Sequence, residues 1–228
     1  MLDFGEVTIL LFVLAGAVLL ILIARWSLKK LLFRFAWVTE DAFARCSQWY
    51  VDILSHRIVR QKIKSIINLR GSNPEHWWWR HEVRFAENNG IERWEATMSS
   101  RRLPNKNMMN KLVDALTTAQ QPFLLKCAGG QDRTSFSAVL FILQRDSWDA
   151  YPAALAEFRR WPFGRMKKTQ RWLPLFFEYA HKEANGTPIL EWARNAYDPY
   201  AFRDWLAVKG HGDEHEGIHP EEPHHVGA

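Results

Sequence analysis

The chain contains only two cysteines, Cys46 and Cys127, among its 228 residues. Small secreted domains that depend on disulfides are much richer in cysteine, so a disulfide framework is excluded as the basis of this fold. We therefore expect both thiols to be reduced and the protein to work in a reducing compartment.

Lysine and arginine are missing from the last 19 residues, which hold five acids and five histidines. The histidines invite a metal site, but their spacing is tied to no structural element. We therefore expect residues 208–228 to form a solvated, disordered tail, and we expect no metal and no cofactor. The rest of the chain has 30 basic against 20 acidic residues, because the tail holds five of the 25 acids. Such a basic body suits anionic lipid, a phosphorylated substrate or nucleic acid, and charge alone does not choose among them.

One long apolar run, residues 7–24, is uncharged and has about the length of a membrane-spanning helix. No small-residue cleavage site follows it, which excludes a typical signal peptide. Acids lie in the N-terminal flank, residues 1–6, and cations lie in the juxtamembrane segment, residues 25–37. The sequence thus predicts a single-pass protein of the inner or cell membrane. By the positive-inside rule, the domain that follows is cytoplasmic.

Residues 38–207 alternate between helical patterns and short apolar strands. Strands are predicted at 65–69, 94–98 and 122–126, and helices at 51–63, 75–88 and 134–144. A helix with one apolar face is also predicted to begin at Pro104. This order predicts an α/β domain with a central, mostly parallel sheet flanked by helices.

The loop after the last of these strands, Cys127–Arg133, carries the chemistry. Gly129 and Gly130 let the backbone curl so that its N–H groups form a nest for an anion, and a helix N-terminus adds positive charge there. These donors favour the thiolate of Cys127 beside a bound phosphate. Arg133 has the geometry to hold two phosphoryl oxygens, and Thr134 lies close enough to hydrogen-bond the sulfur.

The pattern of Cys, five residues, Arg and Thr resembles the signature of the protein-tyrosine and dual-specificity phosphatase superfamily. The likeness extends from Phe43 to Gln144 and includes Ile66–Gly71, Arg45–Gln48 and Ser99–Pro104. An Asp directly before the Arg is similar to bacterial members and to phosphoinositide phosphatases of the myotubularin and Sac types. The resemblance implies catalysis by Cys127, Arg133 and Asp132. It implies substrate binding by Ala128, Gly129, Gly130, Gln131, Thr134, Lys126, Arg101 and Arg102.

The chain departs from the family in its general acid, because no carboxylate lies between Glu95 and Asp114. Leaving-group protonation needs an acid, and Asp132 is our hypothesis for it. A purely structural role, bracing the loop through backbone N–H groups, weighs equally for Asp132. Glu82 and Glu95 are weaker candidates. Lys126 stands where the family commonly has His.

The sequence therefore predicts a metal-free phosphatase that hydrolyses phosphate monoesters through a phosphocysteine intermediate. Its substrate is either a phosphotyrosine-type protein or a membrane lipid phosphate, and the residues do not separate the two. The alternative is a non-catalytic, membrane-tethered module that binds phosphate. A nucleic-acid partner is not expected, because no motif for one occurs.

Overall fold

In the part of the chain that the structure describes, five strands form the central sheet of the domain, in the order β1-β2-β5-β3-β4. The strands are β1 Ala36–Thr39, β2 Phe43–Cys46, β3 Ser65–Asn68, β4 Glu92–Glu95 and β5 Phe123–Lys126. Only β1 pairs antiparallel, with β2, and the other three pairings are parallel. The predicted mostly parallel α/β sheet is confirmed. The computed structural model describes residues 4–31, 34–49, 52–159 and 166–221.

Helices connect the strands and cover both faces of the sheet. The α-helices are α1 Phe4–Leu31, α2 Asp52–Arg60, α3 Trp77–Asn88, α4 Lys106–Thr118, α5 Asp132–Asp146, α6 Tyr151–Ala154, α7 Trp172–Glu183, α8 Ile189–Asn195 and α9 Pro199–Val208. Short 3-10 turns lie at Trp148–Ala150, Leu155–Phe158 and Lys168–Gln170.

Strand β5 distributes its side chains between two separate cores, since successive residues of a strand point to opposite faces. Phe123 and Leu125 join the larger core, which packs α4, α5, α7, α8 and α9 against the sheet. Leu124 joins the smaller core on the other face, with residues from α2 and α3. All four residues of β5 are buried, as expected for a central parallel strand.

The N-terminal helix α1 includes the whole apolar run predicted from the sequence, and its side chains are described from Leu11 to Ala24. Counting only residues whose side chains the structure describes, which in α1 are residues 11–24, no helix is long and apolar enough to cross a membrane. The predicted transmembrane helix is therefore not confirmed. The sheet also begins earlier than expected, because Ala36 and Trp37 of the predicted juxtamembrane segment belong to β1.

The prediction of a disordered tail over residues 208–228 is wrong for residues 208–221. Val208 ends α9, and residues 211–221 form a C-terminal strap that runs along the loop at residues 99–104. The Leu103 N–H donates to the Gly217 carbonyl at 2.9 Å, and the His219 N–H donates to the Leu103 carbonyl at 2.9 Å. These backbone bonds, which composition does not reveal, hold the strap in place. The predicted tail residues 222–228 lie outside the described residues.

Candidate active site

The Cys127–Arg133 loop begins where β5 ends and closes onto the N-terminus of α5, at the carboxyl edge of the parallel strands. This edge is the usual location of ligand sites in α/β sheets. Gly130 has a φ of +62° and lies so close to β2 that an added Cβ would be 2.6 Å from backbone atoms of Cys46 and Ser47. Both the positive φ and the lack of space require glycine there.

The Cys127 thiol is buried at the base of this loop, with 3% of the residue exposed. Burial alone would raise the pKa of the thiol. The charge of Arg133, a hydrogen bond from Thr134 and the backbone N–H groups of Gln131 and Gly130 outweigh burial and lower that pKa below its ordinary value. The Thr134 hydroxyl donates to Cys127 Sγ at 3.2 Å. The loop therefore favours a thiolate, as the sequence predicted.

Arg133 is oriented by two backbone carbonyls. Its Nη1 donates to the Leu69 oxygen at 3.1 Å and to the Met98 oxygen at 3.2 Å. A guanidinium has five N–H donors in a fixed plane, so these contacts leave the Nε and Nη2 donors for two oxygens of a bound phosphate.

Arg45 fixes the loop from below, and the sequence reasoning missed this role. It is fully buried, and its Nη1 bonds Glu157 Oε2 at 2.6 Å. Its Nη2 donates to the Gly130 carbonyl at 2.9 Å, the Gln131 carbonyl at 3.3 Å and the Ser135 hydroxyl at 2.9 Å. The available signal was an arginine within the otherwise apolar strand Phe43–Cys46, since a buried cation needs partners.

Asp132, at the first position of α5, is held by Gln170. Gln170 Nε2 donates to Asp132 Oδ2 at 3.1 Å and to Ser100 Oγ at 3.3 Å. The Lys167 N–H donates to Gln170 Oε1 at 2.9 Å, so the amide presents its donor side to the carboxyl group. Burial raises the pKa of Asp132, although Arg133, Arg45 and Lys167 act in the opposite direction. A carboxyl group with a raised pKa suits proton donation.

Lys126 does not lie with the predicted substrate-binding residues. Because β5 alternates its side chains, Lys126 points to the face opposite that of the Cys127 cluster, where it is fully buried. Its Nζ is 2.5 Å from Glu82 Oε2 and donates to Gln48 Oε1 at 2.6 Å. Burial lowers the pKa of Lys126 although Glu82 opposes the shift. We assign Lys126 to a buried ion pair that supports the sheet.

The two weaker acid candidates are engaged in the same region. Glu82 is also paired with Arg93 at 3.0 Å, and burial would raise its pKa, but Lys126 and Arg93 lower it below the ordinary value. Glu95 pairs with Arg93 at 2.6 Å and accepts from Asn68 Nδ2 at 2.7 Å. Asp132 is thus the carboxyl group that the structure places beside Arg133.

The remaining predicted residues lie around the loop. The Ala128 carbonyl accepts from the Gln48 N–H at 3.2 Å, and the Gly129 carbonyl accepts from Arg34 Nη1 at 3.1 Å. Arg101 and Arg102 are exposed in the 99–104 loop and are the two residues that follow Ser100. Burial raises the pKa of the second thiol, Cys46, well above its ordinary value.

Comparison with solved structures places this geometry in a known fold. Tk-PTP, in a mutant form, superposes with a TM-score of 0.50 at 16% identity, covering 66% of this chain and 97% of that chain. The chain has the fold of the cysteine-dependent phosphatases. The catalytic core of the PP-IP phosphatase SIW14 from S. cerevisiae is also similar, at 24% identity and a TM-score of 0.48, covering 68% of this chain and 94% of that one. TpbA of P. aeruginosa matches at 16% identity and a TM-score of 0.49, covering 68% and 85%.

No protein-family model matches the chain, and no curated protein matches it.

Proposed function

We propose that the protein is a metal-free phosphatase in which Cys127 attacks a phosphate monoester and forms a phosphocysteine. The observation that carries the proposal is the thiol's environment. Cys127 receives a hydrogen bond from Thr134 at 3.2 Å and has a lowered pKa, inside a loop whose backbone N–H groups face the sulfur. A binding module has no use for a thiol activated in this way.

In the first step, the Cys127 thiolate attacks phosphorus, the S–P bond forms and the P–O bond to the leaving group breaks. The loop N–H groups and Arg133 stabilise the charge that spreads over the phosphoryl oxygens. Asp132 gives its proton to the leaving oxygen. The pKa of Cys127 is lowered and that of Asp132 is raised, so both shifts increase the fraction of the enzyme that holds a thiolate together with a neutral acid.

In the second step, water attacks phosphorus and the S–P bond breaks. Asp132, now ionised, takes the proton from that water and returns to its neutral form. The Thr134 hydroxyl stabilises the departing thiolate through its bond to Sγ. Inorganic phosphate then leaves the loop.

We further propose that α1 anchors the enzyme in a membrane, with the catalytic domain on the cytoplasmic side. The sequence from 7 to 24 is uncharged, cations follow it, and large apolar side chains from Leu11 to Ile23 are more than half exposed around the helix. An apolar solvent would cover that surface. An alkaline-phosphatase fusion after Ala228 tests the orientation, and activity of the fusion outside the cytoplasm would refute it.

The connection between α1 and the catalytic loop favours a substrate at the membrane. α1 ends at Leu31, and Arg34 already donates to the Gly129 carbonyl. Three residues span at most about 11 Å of chain, so the loop lies near the end of α1. A lipid phosphate, or a phosphotyrosine on a membrane protein, would meet the site there.

The decisive experiment measures phosphate release in EDTA by the detergent-solubilised protein. A phosphotyrosine peptide and anionic lipid phosphates are compared, with Cys127→Ser and Asp132→Asn as variants. We expect release that Cys127→Ser abolishes, and the preferred substrate separates protein from lipid. If no substrate is hydrolysed although phosphate still binds, the enzymatic proposal is refuted in favour of a phosphate-binding module.

A further inference from the structure

The C-terminal strap places acidic side chains on cations at the edge of the candidate active site. Three of its carboxylates each contact a different cation. The pairs are Asp213 with Lys168, Glu214 with Arg171 at 3.6 Å and Glu216 with Arg101 at 3.5 Å. We call these three cations the rim cations.

The rim cations lie beside the residues that hold Asp132. Lys168 and Arg171 flank Gln170 in the chain, and Gln170 contacts both Asp132 and Ser100. Arg101 follows Ser100 directly. Each rim cation is therefore within two residues of a side chain that contacts the candidate general acid or its glutamine partner.

The ion pairs across this edge are suited to exchange with another anion. The side chains of the rim cations are 54–59% exposed, and those of Asp213 and Glu216 are 66% and 41% exposed, whereas that of Glu214 is 11% exposed. The pairs of Asp213 and Glu216 are therefore the ones open to exchange. Exposed ion pairs contribute little to stability, so a ligand does not have to overcome a strong bond. The strap itself is held by backbone bonds, including the one from the Glu216 N–H to the Arg101 carbonyl at 2.8 Å.

We propose that the rim cations form a second anion subsite, which takes a further phosphate or carboxylate group of the same ligand. In the free protein the carboxylates of the strap cover this subsite. The strap thereby weakens binding of every multiply charged ligand and sets the selectivity for such ligands over simple monoesters. That this ligand is a substrate rests on the proposed function, but the subsite itself does not.

The test compares two probes in the Cys127→Ser protein by titration calorimetry. Orthophosphate carries one phosphate group for the catalytic loop, whereas tripolyphosphate carries further phosphate groups that the proposal assigns to the rim cations. Neutralising the strap with Asp213→Asn and Glu216→Gln is expected to strengthen tripolyphosphate binding by roughly three- to tenfold, and orthophosphate binding by much less. Neutralising Arg101 and Lys168 with Gln is expected to weaken tripolyphosphate binding selectively.

A matched control removes two exposed acids elsewhere, with Asp114→Asn and Asp146→Asn. Asp114 pairs with Arg194, and Asp146 ends α5 some 21 Å along the helix from Asp132. If this control strengthens tripolyphosphate binding as much as the strap variant, net charge explains the effect and the subsite is refuted. Equal binding by the strap variant and the parent would also refute it.

Turnover assays then identify the source of the second anionic group and separate the two proposals. The strap variant should lower KM for fructose 1,6-bisphosphate relative to fructose 6-phosphate if the ligand is soluble. If the ligand is a lipid, the strap variant should lower KM for a bisphosphorylated inositol lipid relative to a monophosphorylated one, both presented in micelles. No turnover of any substrate, with the calorimetric difference intact, would end the proposed function and leave the subsite standing.

Discussion

Replacing Gly130 by alanine should remove the phosphate-binding geometry while changing no chemical group of the site. A Cβ at this position would be 2.6 Å from three backbone atoms of Cys46 and Ser47, and backbone cannot move aside as a flexible side chain can. The φ of +62° adds about 1–2 kcal/mol for an L side chain, and forced repacking adds about 1–3 kcal/mol. The sum is roughly 2–5 kcal/mol.

Gly129→Ala is the matched control, because the nearest atom to its added Cβ is Gln131 Oε1 at an ordinary 3.8 Å. For a chain of this size, the Gly130→Ala penalty corresponds to a fall in Tm of about 4–20 °C, whereas Gly129→Ala should stay within about 2 °C. Thermal unfolding and orthovanadate binding measure the two effects. We expect orthovanadate binding to be lost in Gly130→Ala and retained in Gly129→Ala. Identical behaviour of the two variants would refute the argument that contact with β2 shapes the loop.

Four further variants test the site and its support. Asp132→Asn should slow turnover of substrates with poor leaving groups by about 10²–10⁴-fold. In the parent enzyme, activity should fall as pH rises through the raised pKa of Asp132, and pH–rate profiles should show that this fall is absent from the variant. Lys126→Met should lower the free energy of unfolding, measured in urea, by about 3–5 kcal/mol, because the buried Glu82 carboxylate loses its lysine partner. Adding Glu82→Gln to Lys126→Met should recover most of that loss. Thr134→Val removes the hydroxyl that bonds the thiol, so breakdown of the phosphocysteine should slow about 10–100-fold and a burst of p-nitrophenol should appear.

The nucleophilic loop could be predicted from sequence because its chemistry is local. Cys127, Arg133 and Thr134 are fixed relative to one another by a strand, a tight turn and a helix that are consecutive in the chain. The mostly parallel sheet followed from the same alternation of elements.

The prediction that Lys126 binds substrate is wrong, because residues that are adjacent in a strand do not share a face of the sheet. In a strand, neighbouring residues point to opposite faces, so the residue before Cys127 points away from the site. Leu124 and Leu125 show the same alternation, because they lie in different cores on opposite faces of the sheet.

Other parts could not be read from the sequence because they depend on contacts between distant segments. The bond from Gln170 to Asp132 spans 38 positions, and the loop between 99 and 104 meets the C-terminal strap more than a hundred residues later. Composition predicts disorder for the strap because it has few apolar residues, yet its backbone bonds to Leu103 and its ion pairs hold it against the domain.

The contacts of Arg45 have a consequence for when the protein becomes able to bind phosphate during folding. They join β2 to the loop across 85 positions and to Glu157 across 112. Closing such long stretches of chain costs entropy before any contact offsets it, and folds rich in distant contacts form slowly. The signature residues are complete once Thr134 has been synthesised, but the guanidinium that shapes their backbone still lacks its carboxylate partner. Phosphate affinity should therefore be acquired late, with the docking of the segment around Glu157, and refolding followed by vanadate binding should lag behind refolding followed by helical circular dichroism.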